Sequence, residues 1–165
     1  MEYTIRHAQP GDEATLAYIQ TESWNAGFRG ILTEDALAAA TQIDRVTMMY
    51  RRILEQNYGN LYLLTVDGKP HCIAAWAPTR SEDMPGYAEL ICIHSLPGNW
   101  RKGFGRSMMD TVLRDAADAG YRKIMLWVFE ENARARRFYE SMGFTTVGKV
   151  KPDSAPTEIC YEKDL

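Results

Sequence analysis

The run KIMLWVF (123–129) carries one lysine followed by six consecutive apolar residues. A strand with one wet face alternates polar and apolar residues; a strand apolar on both faces needs cover on both sides. The residues before it supply a helix, 104–119, with Met109, Val112, Leu113 and Ala116 inward and Gly120 as its stop. Ahead of that helix, YAELICIH (87–94) reads as another strand. Strand, helix and strand in this order form a parallel crossover, so the chain must build a sheet layered between helices.

The remaining segments fit that frame. YTIRHA (3–8) alternates as a strand and stops at Pro10-Gly11, after which Asp12 is placed to cap a helix carrying Leu16, Ile19 and Trp24. Further helices are expected from near Thr33 and near Thr41, the latter with Val46, Met49, Tyr50 and Ile53 on one stripe. NLYLLTV and KPHCIAAWA flank Asp67-Gly68, a hairpin signal. Asn132 caps a last helix whose stripe is Ala135, Phe138, Tyr139 and Met142, ended by Gly143. FTTVGKV and TEICYEKD close the chain as strands, and Arg106, Asp110, Arg114 and Asp118 read as a charged outer ladder on helix 104–119. The expected fold class is α/β (α+β), a mixed sheet with helices on its faces, in one domain over 1–165.

Composition narrows the function classes. At 165 residues, 45% hydrophobic and 25% charged, the chain matches one soluble globular domain. A formal net charge of −3 carries no nucleic-acid footprint. No apolar stretch is long enough to span a bilayer, and MEYTIRHAQPGD lacks the layout of a signal peptide, so no membrane role and a cytoplasmic location are expected. Cys72, Cys92 and Cys160 are odd in number and set in apolar runs, which reads as buried, reduced thiols. His7, His71 and His94 are scattered and form no ligand set, so no metal is expected.

NWRKGFGRSMM (99–109) places Gly103 and Gly105 at the junction of a strand with a helix N-terminus, among Arg101, Lys102 and Arg106. Such a terminus exposes unpaired N–H groups and attracts anions, and glycine lets a ligand approach the backbone closely. Taken alone, the segment suits an anion loop or an ordinary turn equally. It is neither G-x-G-x-x-G nor a Walker loop, which disfavours a dinucleotide or a nucleoside triphosphate and leaves another phosphate-bearing cofactor. Glu89, inside the apolar run AELICI, is a carboxylate that burial would turn into a base, unless it meets solvent or a cation.

From Tyr87 to Gly143 the sequence resembles the GNAT superfamily of N-acetyltransferases, whose cofactor is acetyl-CoA. WRKGFG (100–105) is similar to the family's (Gln or Arg)-x-x-Gly-x-(Gly or Ala) pyrophosphate loop, with Trp100 where the pattern has Gln or Arg. NARARRFYESMGF (132–144) resembles its cofactor-side helix, and ESWNAGFRGILTEDAL (22–37) more loosely its first two helices. The resemblance implies a mostly antiparallel central sheet flanked by helices. It implies main-chain contacts to the cofactor from Arg101, Lys102, Gly103, Phe104, Gly105 and Arg106, with Asn132 orienting the pantetheine amides. Backbone N–H groups near Ile93, His94 and Ser95 would polarise the thioester carbonyl. Tyr139, core by spacing alone, becomes the general acid for the leaving thiol, and Glu89 the base, through a water. Direct attack by the amine is expected, since Cys92 has no base nearby in sequence.

Trp24, Phe28, Trp76 and Trp127 read as core, with Trp24 and Phe28 the candidates for an acceptor pocket under the resemblance. Arg134, Arg136 and Arg137 read as a solvated helix face, the alternative being that one of them meets the cofactor's phosphates. The acceptor, a small-molecule amine or a peptide N-terminus, is not encoded legibly: 22–56 and KPDSAP (151–156) would shape its pocket, and Glu34, Asp35 and Asp44 are too few to mark a polycation. A homodimer is the family-level expectation. The rival classes are a regulatory module that holds acyl-CoA without turning it over and a peptide-binding domain without cofactor.

Overall fold

In the computed structural model, which describes residues 2–165, strand β1 (Tyr3–His7) leads into helices α1 (Glu13–Gly27), α2 (Glu34–Ala40) and α3 (Ile43–Gln56). The hairpin of β2 (Asn60–Val66) and β3 (Lys69–Pro78) is next in the chain, then β4 (Ala88–Ser95), a 3-10 turn (Pro97–Asn99) and α4 (Phe104–Asp118). β5 (Lys123–Phe129), α5 (Ala133–Ser141), β6 (Thr145–Val150) and β7 (Glu158–Asp164) complete the chain. The strands form one sheet in the order β1-β2-β3-β4-β5-β7-β6. Every neighbouring pair is antiparallel except β4 with β5, the crossover that the apolar run at 123–129 demanded.

Side-chain alternation divides the sheet between two cores. From β2, Leu61 and Leu63 face α1 and α3, where they meet Leu16, Ile19, Val46 and Tyr50. Tyr62, Leu64 and Val66 point the other way, under Phe104, Met108, Met109 and Val112 of α4 and Tyr139 and Met142 of α5. The hairpin closes through Asp67 and Gly68 at φ 48° and 77°, the positive values a two-residue I′ turn requires.

Two irregularities in the middle of the sheet make room for chemistry. β4 and β5 pair only through Ala88 with Ile124 and Glu89 with Met125. Beyond Glu89 the strands separate, and alternate residues of β4 turn their N–H and C=O groups into the gap. The second irregularity is a bulge: Trp76 opposes Leu90 and Ala75 opposes Cys92, leaving Ile91 unmatched. A bulge inverts the facing of the strand residues beyond it. Leu90 packs in the α4–α5 core, whereas His94, an even number of residues on, meets Trp24 of α1.

Two local expectations are corrected. Asp12 stands at the N-cap position of α1 without capping it, because its carboxylate takes two bonds from Arg6 and one from the Gln9 N–H. The Arg106–Asp110–Arg114–Asp118 ladder does not close: Arg114 pairs with Asp115 instead. Both are exposed alternatives of similar strength, which helical spacing cannot rank.

Candidate active site

The junction after β4 is built to leave main-chain donors free. Arg101 and Gly103 take φ values of 64° and 86°, so the chain turns sharply into α4. Among the described residues, none of the amides of Arg101 to Arg106 donates to a backbone carbonyl; the first that does is Ser107, to Gly103. Six consecutive N–H groups therefore meet at a helix N-terminus, beside the cationic Arg101, Lys102 and Arg106. Gly103 is there for its positive φ. Gly105 is helical, and an added Cβ would meet only the Phe138 ring at 3.5 Å, an ordinary contact. The fold itself tolerates a side chain at 105, so packing does not demand the glycine.

From this loop a cavity of about 900 Å³ runs through the gap between β4 and β5 to α1 and α3. Ile93, His94, Ser95, Arg101, Gly103, Gly105, Arg106, Asn132 and Tyr139 line it, together with Trp24 and Phe28. Lys102 and Phe104 do not: the Phe104 side chain is buried against the sheet. Trp127 and Cys92, expected in the core, are part of the cavity wall, while Trp76 is buried as expected though it reaches the wall as well. Glu158 also lines the cavity, and residues 151–156, expected to shape an acceptor pocket, do not.

Asn132 is nearly buried, and its Oδ1 accepts the Ala135 N–H at 3.2 Å, capping α5. Its amide NH₂ keeps no protein partner among the described residues. Tyr139 packs between Phe144 and Tyr161, with ring centroids at 5.9 and 6.4 Å. Its hydroxyl likewise makes no hydrogen bond among the described residues. Burial holds the phenol well above its ordinary pKa, with Cys92 adding to the effect and Arg134 opposing it. Burial also pushes the Cys92 thiol up to about 12, so this sulfur stays protonated and is a poor nucleophile.

Glu89 is the residue whose surroundings depart furthest from expectation. It is buried as anticipated, at 2% exposure, but its carboxylate is fully engaged. Arg80 donates to it from the backbone N–H at 2.9 Å, from Nε at 3.3 Å and from Nη2 at 2.5 Å. Arg80 lines the cavity and Glu89 does not. The cation-paired alternative is thus the arrangement present, and Arg80, in a turn without periodicity, was missed by sequence reasoning.

His94 accepts a hydrogen bond at Nε2 from the Trp24 indole N–H, 3.1 Å away. Burial, and secondarily Arg134, lowers its pKa to about 4. Trp24 and Phe28 pack edge to face, and Phe28 packs likewise on Phe129, so α1 and β5 meet across an aromatic wall. The basic face of α5 is not simply solvated. Arg134 stacks on Trp100, and Arg136 donates to the Tyr161 hydroxyl and the Glu130 carbonyl. Trp100 is fixed from below by its indole N–H, which donates to the Ser95 carbonyl at 3.0 Å. No metal-binding cluster and no membrane-length apolar helix occur among the described residues.

Residues 19–144 match the model of the Acetyltransferase (GNAT) family. An uncharacterized N-acetyltransferase of Bacillus subtilis is 25% identical over 129 residues, 78% of this chain and 73% of that one. An uncharacterized N-acetyltransferase of Mycobacterium tuberculosis is 40% identical over 60 residues, spanning 36% of this chain and 38% of its own. In architecture the chain is similar to the PaiA N-acetyltransferase of Thermoplasma acidophilum, solved in complex with coenzyme A, with a TM-score of 0.83, 19% identity and full coverage of both chains. The YncA acetyltransferase of Salmonella typhimurium, solved with acetyl-CoA, superposes with a TM-score of 0.71 at 20% identity, covering 99% of this chain and 94% of that one.

Proposed function

The chain belongs to the GNAT acetyltransferase family, and on that premise we propose that it moves the acetyl group of acetyl-CoA directly to a primary amine of a small molecule or a peptide N-terminus. The observation that carries this reading is the row of amides from Arg101 to Arg106, without backbone partners among the described residues, at one end of a cavity that Tyr139 lines. The diphosphate takes the amides, Arg101 and Arg106. The pantetheine arm lies in the β4–β5 gap, where Asn132 offers its free NH₂. Amides among Ile93, His94 and Ser95 that face the gap bond the thioester oxygen; a preorganised donor of this kind is worth about 3 kcal/mol of barrier.

The neutral amine attacks the carbonyl carbon, the C–S bond breaks, and the sulfur leaves as thiolate. Tyr139 donates its O–H to that sulfur. With its acidity weakened by burial, complete transfer is uphill until the nitrogen gives up its surplus proton, so the two transfers are coupled. Glu89 takes that proton, through a water, only when Arg80 swings away. The exposed head of Arg80 can do so, and a buried carboxylate left alone becomes more basic. Products are the N-acetylated amine and free coenzyme A.

The closed Arg80–Glu89 pair also favours a second reading, a module that holds acyl-CoA without turnover. Calorimetry with acetyl-CoA, followed by free-thiol release across a panel of primary amines, separates the two. The enzyme binds and releases thiol with at least one amine; the module binds and releases none; absence of binding removes both.

A further inference from the structure

The Trp24–His94 pair has a chemical direction. An indole N–H can only donate, so the His94 Nε2 that it meets at 3.1 Å must present a lone pair. The neutral imidazole then carries its one proton on Nδ1. That Nδ1 has no partner among the described residues, nor is it sealed away like the Nδ1 of His71, the one buried side-chain polar atom left unsatisfied among them. His94 is half-buried and lines the cavity, and the β4 bulge has turned it to the α1 side, away from the α4–α5 core that Ile93 joins. It is therefore a donor, unable to accept, directed to the acceptor side.

The position of this donor along the reaction path is set by connectivity. His94 stands between Ile93 and Ser95, whose amides face the gap and are those proposed to hold the thioester oxygen, while its own amide faces Ile73 of β3. A group bonded to Nδ1–H therefore sits on the α1 side of the gap, next to the residues whose amides would hold the reacting carbonyl. The cavity lining carries Arg80, Arg101, Arg106, Arg134 and Arg137 against one carboxylate, Glu158, and even with Arg80 paired to Glu89 this surplus of positive charge opposes a second ammonium.

Resting on the acetyltransferase reading above, we propose that His94, locked by Trp24, selects acceptors whose amine-bearing carbon also carries a carbonyl: α-amino acids, their amides and peptide N-termini. The carbonyl oxygen accepts from Nδ1–H while the neighbouring nitrogen attacks. Trp24 acts through His94 and is a positioning residue.

The test compares phenylalaninamide with phenethylamine, which differ only in the carboxamide. The ratio of their kcat/KM values is taken in the wild type and in variants, so that their different basicities cancel. His94→Leu lowers this ratio about tenfold, the size of one lost hydrogen bond near the transition state. His94→Asn, which keeps an N–H near the Nδ1 position, restores most of the ratio, and Trp24→Phe lowers it. An unchanged ratio in His94→Leu, or a ratio that His94→Asn fails to restore, overturns the inference. If other amines release thiol but neither of these does, the inference falls and the enzyme stands. If no amine releases thiol while acetyl-CoA binds, both fall.

Discussion

The guanidinium of Arg134 lies 3.6 Å from the centroid of the Trp100 ring, tying the first turn of α5 to the loop that precedes α4. Its Nη2 also stands 3.1 Å from where a Cβ on Gly27 would be, so one arginine touches three elements around the cavity. A desolvated cation–π contact contributes about 2 kcal/mol and an exposed one less. Because the contact holds the amide loop in place before ligand arrives, its loss falls on binding. Trp100→Ala should weaken acetyl-CoA binding about tenfold by calorimetry, and Arg134→Lys by less. An unchanged or tighter Kd would show that the contact does not preorganise the loop.

Tyr139→Phe removes one oxygen that no protein group contacts among the described residues, so packing should survive. Losing a positioned proton donor lowers turnover on the order of 10²-fold. The dissociation constant for acetyl-CoA should stay within about twofold, because the hydroxyl acts on charge that develops only as the C–S bond breaks. Full turnover in the variant would remove Tyr139 from the chemistry.

Arg80 and Glu89 give unequal results when removed singly. Arg80→Ala leaves a buried carboxylate with one backbone donor, which costs about 3 kcal/mol of stability at neutral pH. Losing a partner at a buried charge is what sets this cost. Urea midpoints at neutral pH read the deficit, and a midpoint equal to wild type would show that the pair does not hold the buried carboxylate. Glu89→Gln frees an arginine that water can solvate, and costs less. It should also flatten the alkaline-rising limb of the pH–rate profile; an unaltered limb would count against Glu89 as base.

His94 supplies a second pH signature. Its folded pKa of about 4 lies below the unfolded value of 6.5. Between these values the unfolded chain takes a proton that the folded chain refuses, so the stability present above pH 6.5 is lost as pH falls toward 4. The loss amounts to roughly 3 kcal/mol at most. The stability of wild type relative to His94→Asn should fall over this window, and equal pH dependence would show that His94 titrates normally.

How far the sequence reaches can be judged from these same residues. The hairpin at Asp67-Gly68, the crossover through 123–129 and the glycine junction at 103–105 each rest on local rules of turn, period and helix end, and each is where expected. His94 facing α1 is not legible, because one unmatched residue in β4 reverses the alternation from which facing is inferred. Arg80 and Arg134 are long side chains that reach partners far along the chain, and no spacing pattern encodes such a reach. Glu89 illustrates the boundary: its burial is dictated by an apolar strand, whereas its partner is dictated only by the fold.

The amides of Arg101 to Arg106 offer the most direct measurement. In the free protein they lack backbone partners among the described residues and should exchange with solvent quickly. Under saturating acetyl-CoA, hydrogen exchange at these residues should slow by on the order of tenfold or more, with the middle of α4 unchanged. Unaltered exchange at 101–106 while calorimetry registers binding would contradict the account, because the cofactor would then be held elsewhere.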